Sequence, residues 1–294
     1  QWVNYKGKME MKKSSSILVN KNTITSIAIG GFDGMHVAHQ ELFNNLDSNG
    51  AIVSIESGYA NLTPKRYRQE YSIYPIYYYV LENIKNLEGD QFIKLLKEEF
   101  PNLKKIVVGY DFCFGKNRKY CIGKLKELFH GEVAVIEEIK IDGIGVHSRV
   151  IREYIKDGNI DSVNRFLGKE YKIYGHQIKG QGLGAKNFVP TINLKIDEFL
   201  LPKEGVYITK TILDNIEYNS ITFLGHRVTT DGSYAVETHI LNENIVDKVY
   251  TTQIKFIKRL RDNLKFDSFE KLKIQILEDI DLTNKYFNMH LDKI

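Results

Sequence analysis

The chain has 294 residues, 43% of them hydrophobic and 27% charged, an ordinary globular balance in more chain than one hydrophobic core usually organises. Its net charge of +4 suits an anionic small substrate such as a nucleotide and is too slight to argue for a nucleic-acid partner. The two cysteines, Cys113 and Cys121, form neither a disulfide framework nor a zinc set and read as reduced, buried thiols of a cytoplasmic protein; no run approaches the ~18 apolar residues of a membrane helix.

The first residues carry no signal-peptide core, and Met9 or Met11 are candidate starts, so residues 1–20 are set apart as a leader that need not be native. Ser26–Gly30 is a short apolar run ending in two glycines, the pattern of a buried strand and a tight turn. Val37–Leu46 has helical apolar spacing, and Ala51–Ile55 is a second strand. Tyr79–Ile84 and Asp90–Phe100 read as helices, Lys105–Gly109 and Glu132–Ile136 as strands, and Ser148–Lys156 as a helix. Strands alternating with helices predict βαβ units and a parallel sheet.

The character changes near Gly168. Tyr171–Gln177, Thr191–Leu194, Gly205–Leu213, Ser220–Leu224 and Ala235–Leu241 are short strands punctuated by glycine and proline, which predicts a small antiparallel barrel. An amphipathic helix over Ser268–Phe287 closes the chain. The fold class is therefore α/β plus β, with domains expected over 21–165 and 168–290.

Two segments carry phosphate chemistry. Gly30-Gly31-Phe32-Asp33-Gly34-Met35-His36-Val37-Ala38-His39 lies between a strand and a helix start, where backbone N–H groups and the helix dipole favour an anion. His36 and His39 sit three apart and can donate to phosphate oxygens in the transition state. The second segment places Gly180, Gly182 and Gly184 ahead of Lys186 and Pro190-Thr191-Ile192-Asn193; alternating glycines wrap phosphate with N–H groups, but the ending of a Walker loop is missing.

The first segment resembles the G-x-F-D-G-x-H-x-G-H signature of bacterial FAD synthetases, a branch of the nucleotidylyltransferase superfamily, with Ala38 in place of a glycine. Val107 to Arg118, with Asp111 at its centre, resembles their V-V-G-x-D-F-x-F-G-x-x-R loop. The family's F-E-P-H-P stretch is reduced here to Ile55-Glu56-Ser57-Gly58-Tyr59, and its S-S-T-x-x-R motif to His147-Ser148-Arg149-Val150-Ile151-Arg152, where Arg149 is an added donor.

The second segment resembles the riboflavin kinase signature G-x-G-x-G…P-T-x-N, and Gly225 to Leu241 resembles G-x-R-P-T…V-E-x-H-L-L, which contains Arg227 and Glu237. Phe256 to Leu272 resembles the basic segment before that family's last helix. The chain is thus similar to bacterial bifunctional riboflavin kinase/FMN adenylyltransferases. The resemblance implies a Rossmann-like nucleotidylyltransferase domain and a riboflavin kinase barrel. It implies riboflavin, FMN, FAD and ATP as substrates and products, with Mg²⁺, no membrane and no nucleic acid, and leaves the oligomeric state open. In the N-terminal domain it implies catalysis by His36 and His39, with Gly30, Phe32, Asp33, Gly34, Asp111 and Arg152 binding nucleotide or flavin. In the C-terminal domain it implies Glu237 as general base, Gly180, Gly182, Gly184, Lys186, Asn193 and Arg227 as binding residues, and Thr191 with Asn193 at the metal. Alternatives are a kinase with a degenerate N-terminal domain, and a flavin- or nucleotide-binding regulator without turnover.

Overall fold

Ile27, Ala28 and Ile29 are each 1% exposed or less, because the strand they form is covered on both faces. That strand, β1 (Ser26–Gly30), is the middle of a five-stranded parallel sheet in a computed structural model describing residues 20–178, 189–227, 229, 232–243 and 252–291. In chain order the N-terminal part continues with α1 (Val37–Asn44), β2 (Gly50–Glu56), a 3-10 helix over Lys65–Tyr71, β3 (Ile76–Val80), α2 (Leu81–Ile84), α3 (Gly89–Glu99) and β4 (Lys105–Gly109). A hairpin of β5 (Cys113–Phe114) and β6 (Tyr120–Cys121) follows, then α4 (Ile122–Leu128) and β7 (Glu132–Ile136). A second hairpin, β8 (Lys140–Ile141) with β9 (Ile144–Gly145), leads to α5 (Ser148–Asp157) and α6 (Ile160–Leu167). The sheet order is β3-β2-β1-β4-β7, so the order reverses between β1 and β4. Open α/β sheets bind ligands at such a switch point, beyond the carboxyl ends of the strands.

The C-terminal part is a closed antiparallel barrel in the order β10-β11-β14-β13-β12-β15. Its strands are β10 (Tyr171–Ile178), β11 (Ile192–Lys195), β12 (Gly205–Leu213), β13 (Ile216–His226), β14 (Tyr234–Ile240) and β15 (Thr252–Arg261). Alternation sends Tyr207, Leu224, Val236, Ile254 and Phe256 inward. Thr209, Thr211, Ser220, Thr222 and Thr238 are also fully buried and satisfy one another through hydroxyl contacts of 2.7–3.1 Å. The last helix, α7 (Phe269–Leu291), lays Phe287 on Val206, Ile208 and Ile221 of the outer face, and Arg261 holds the buried Asp279 with Nε at 2.9 Å. One hydrophobic core runs from Ile151, Ile155, Val163 and Phe166 of α5 and α6 into the barrel interior, so the two parts are packed together.

Three expectations are corrected. Tyr79 lies in β3, not in a helix, and helical structure begins only at Leu81. The run Ile76-Tyr77-Tyr78-Tyr79-Val80 is aromatic and β-branched, and parallel pairing to β2 stabilises it as an edge strand. The strand that closes the barrel, β15, was read only as a basic segment; its charged outer residues mask the inward Ile254 and Phe256. The cysteines are not reduced thiols: Cys113 and Cys121 are joined in a disulfide, and neither is buried. The intervening turn folds back through positive φ at Gly115, Asn117 and Arg118, which brings the two into direct cross-strand register with Cα atoms 4.1 Å apart.

Candidate active sites

The N-terminal site forms where β1 ends. Gly30 leaves room for the Phe32 ring, which a Cβ there would crowd at 3.0 Å. That ring is 2% exposed and packs edge-on to His39 and Phe43, so Phe32 supports the turn from below. The turn then passes through left-handed backbone at Gly34 (φ +89°) and Met35 (φ +46°) before α1 begins. His36 is the N-cap of α1, and its Nδ1 accepts from the His39 N–H at 3.4 Å. The two imidazoles are stacked with centroids 3.4 Å apart. Because Nδ1 of His36 accepts, the proton of the neutral ring sits on Nε2, where it can be donated.

Burial pushes the His36 pKa down to about 3, helped by the nearby charges of Lys169, His147 and Arg152. Burial also holds His39 well below the ordinary imidazole range, with His36 and Lys169 adding to it. Both rings are therefore neutral donors near pH 7. An unfolded imidazole takes a proton below about pH 6.5, while native His36 refuses it until about pH 3. The unfolded state thus binds more protons across that window, and stability falls as the pH drops through it. The denaturant midpoint is expected to be lower at pH 5 than at pH 7, and the difference to shrink in a His36→Asn variant. An unchanged pH dependence in that variant would remove His36 as the source.

Asp33 is 7% exposed, and its carboxylate is fully engaged. It accepts from the backbone N–H groups of Asn61, Leu62 and Thr63 at 2.9–3.2 Å and from Arg152. Ser148, one helical turn before Arg152 on α5, donates to the Asp33 carbonyl at 2.7 Å. Asp33 and Arg152 therefore clamp the segment that follows β2 onto the phosphate turn. Asp111 lies beyond β4 on the other side of the switch point and is exposed, as is Arg149 on α5.

Two cations near this site, Arg68 buried and Lys169 half-buried, carry no sequence signal. Arg68 is fully buried; Nε donates to the Thr63 carbonyl at 3.0 Å, Nη1 to Ser54 and Glu56, and Nη2 has no partner. The retained glutamate of the altered stretch, Glu56, is thus the counter-ion of Arg68. Lys169 comes from beyond α6 and reaches the Gly34 and Met35 carbonyls. No motif or periodicity marks either one.

The second site is on the outer face of the barrel. Asn193 and Glu237 are register partners on β11 and β14. Arg227, just past β13, ties them together: Nη2 donates to Asn193 Oδ1 at 2.8 Å and to Glu237 Oε1 at 2.5 Å, and Nε to the same Oε1 at 3.0 Å. Both contacts engage Oε1, which leaves Oε2 for a substrate. Val236 and Thr238 point inward while Glu237 is part-exposed, the alternation expected of a strand. Thr191 immediately precedes β11. The Thr191 hydroxyl, the Asn193 carboxamide and the Glu237 carboxylate are hard oxygen donors, which fit Mg²⁺. Gly180, Gly182, Gly184 and Lys186 lie outside the described residues.

Residues 167–287 match the riboflavin kinase family model, Flavokinase. A bifunctional riboflavin kinase/FMN adenylyltransferase of Buchnera aphidicola is 28% identical over 91% of this chain and 96% of its own length. Proteins of the same description from Haemophilus influenzae and Escherichia coli are 26% and 24% identical, over 90% of the chain in both cases and 94% and 93% of their lengths. The chain is thus similar over about nine tenths of its length to bifunctional riboflavin kinase/FMN adenylyltransferases. A crystal structure described as a macrolide-efflux protein from Streptococcus pneumoniae superposes with a TM-score of 0.78 at 26% identity, covering 89% of this chain and 94% of that one. Among the described residues no helix is long and apolar enough to cross a membrane. The described residues of the two phosphate signatures thus fall on two separate clusters, one on the sheet and one on the barrel.

Proposed function

We propose that this protein makes FAD in two steps: riboflavin and ATP give FMN and ADP on the barrel, and FMN and ATP give FAD and pyrophosphate on the sheet. What supports the reading is that the described motif residues gather into two distinct clusters, each with its own candidate catalytic groups. The corresponding domains are 21–165 for adenylyl transfer and 168–290 for the kinase.

On the barrel, Glu237 accepts the proton of the ribityl hydroxyl as that oxygen attacks the γ-phosphate, and ADP leaves. Arg227 orients Glu237 and Asn193 together. Thr191 and Asn193 would hold Mg²⁺, which neutralises phosphate charge when bound. On the sheet, an FMN phosphate oxygen attacks the α-phosphate of ATP. His36 and His39 donate hydrogen bonds to the oxygens where charge develops, and pyrophosphate leaves. Asp33 and Arg152 hold the turn in place. Asp111 lies on the far lip of the crevice, where the flavin would enter. Partners are these small molecules, without nucleic acid, and the location is the cytoplasm, where ATP is plentiful.

Incubation with riboflavin, Mg²⁺ and ATP, followed by chromatography of the flavins, is expected to yield FAD. FMN as the only product, with added FMN also left unconverted, would reduce the protein to a riboflavin kinase. No flavin product at all would favour a binding regulator.

A further inference from the structure

Lys169 belongs to the stretch matched by the riboflavin kinase family, yet its side chain serves the other site. It follows Gly168, the left-handed C-cap of α6 (φ +70°), and precedes β10. From there Nζ donates to the carbonyls of Gly34 at 2.8 Å and Met35 at 2.7 Å, across 135 and 134 residues of sequence. It also lies over the Tyr71 ring, 4.3 Å from the centroid. The two carbonyls belong to the left-handed turn directly before the N-cap His36, so their orientation sets where both stacked histidines point.

The surroundings are unusual for an amine. No carboxylate pairs with Lys169 among the described residues, whereas its neighbour Lys172 has Glu70 at 2.7 Å. The groups facing it are the neutral rings of His36 and His39 from α1, Tyr71 from the 3-10 helix, and the like charge of Lys172 on β10. Even half-buried, a cation without a counter-ion is costly. Burial, with Lys172 adding to it, pushes the Lys169 pKa down to about 7. A lysine kept in such a place has an anion to meet, and the nearest site for one is the phosphate turn it grips.

We propose that Lys169 is a positioning residue for adenylyl transfer, supplied from the kinase side of the domain boundary: it fixes the Gly34–Met35 turn, and its charge completes the field around the nucleotide phosphates. The proposal rests on the reading of the stacked-histidine site as the adenylyltransferase. It makes that site dependent on the barrel side, because a residue that grips its phosphate turn comes from the segment leading into β10.

The test uses the full chain and measures the two half-reactions separately, riboflavin to FMN and FMN to FAD. Lys169→Met is expected to lower kcat/KM for FMN adenylylation about 10- to 100-fold, the scale of a displaced catalytic group, and to leave riboflavin phosphorylation within about twofold. The kinase rate doubles as the check that the variant is folded. Lys169→Arg, which keeps a cation and its donors, should restore most of the loss. In the wild type, kcat/KM for adenylylation should decline as the pH rises through about 7 and Lys169 loses its proton; in Lys169→Arg that decline should be absent, while titration of the substrate phosphates is common to both. Equal losses in both half-reactions, or no loss in Lys169→Met, would overturn the proposal and leave the adenylyltransferase reading standing. A wild-type protein that converts no FMN would remove that reading first, and the proposal with it.

Discussion

Glu237→Gln is expected to abolish FMN formation, by about 10²–10⁴-fold in rate, and to leave conversion of supplied FMN to FAD unchanged. The substitution removes a proton acceptor and little else. Glu237 is part-exposed, and its Oε1 is held by Arg227, a pair whose loss should change stability by about 1 kcal/mol or less. Glutamine keeps an oxygen for Arg227 and nearly the same shape, so nucleotide and flavin should still bind and KM should move little. Arg227 also retains Asn193 and Ser233 as partners. A drop in kcat at constant KM is the signature of a group acting only in the transition state. Riboflavin phosphorylation at the wild-type rate would remove Glu237 as the base and leave it a strand residue that orients Arg227.

The parts of this picture that could be read from the sequence are those where local pattern and tertiary role coincide. Ser26–Gly30 declares itself because a strand buried on both faces must be uniformly apolar and must end where the backbone turns sharply. Gly205–Leu213 and Tyr171–Gln177 were placed within a residue because glycine and loop punctuation bounds an alternating run. Tyr79 was misplaced because a tyrosine run followed by Leu-Glu-Asn-Ile has no period strong enough to choose between strand and helix, and pairing with β2 decided it. The eight-residue cysteine spacing hid a cross-strand pair because the left-handed residues that fold the loop back are not all glycine; Asn117 and Arg118 do part of that work.

The candidate sites divide in the same way. That His36 meets His39 and Asn193 meets Glu237 follows the clustering of signature residues in sequence around each pair. What their neighbours touch was not legible. Asp33 and Arg152 were expected at the nucleotide, and the structure puts them on each other and on the loop Asn61–Thr63. Phe32 was expected beside them and is instead a wedge beneath the turn. Arg68 and Lys169 gave no signal at all, since each acquires its role by approach across the fold rather than by spacing along the chain. Downstream of the altered stretch, the 3-10 helix Lys65–Tyr71 is held against the C-terminal part. Tyr67 packs its ring on Tyr174 at 4.3 Å and on Phe199 at 5.0 Å, Lys65 pairs with Glu198 at 2.7 Å, and Glu70 meets Lys172 and Tyr174.

His36→Ala should show the opposite selectivity to Glu237→Gln: FAD formation lowered by about 10²–10³-fold, the scale for one lost transition-state donor, with FMN formation intact. Two effects of the substitution must be separated. Alanine removes the Nε2–H donor, and it also removes the N-cap of α1, whose loss costs about 1 kcal/mol of helix stability or less given the 3.4 Å contact. His36→Asn separates them. Asparagine is among the best N-caps and carries an amide donor, but its side chain is shorter than imidazole. If the cap were the whole role, asparagine would restore the rate in full. If the donor acts on the phosphates, asparagine should restore the unfolding midpoint and recover only part of the rate, because its N–H stops short of the oxygen that imidazole reaches. Stacking gives a further handle. His39 rests against His36 and keeps a buried Nδ1 without a partner, so it depends on its neighbour for its orientation. The double variant lacking both imidazoles should therefore lose less than the product of the two single losses, since groups that act as a unit are not additive. Losses that multiply would mean that the two histidines meet the phosphates independently and that their stacking carries no catalytic weight.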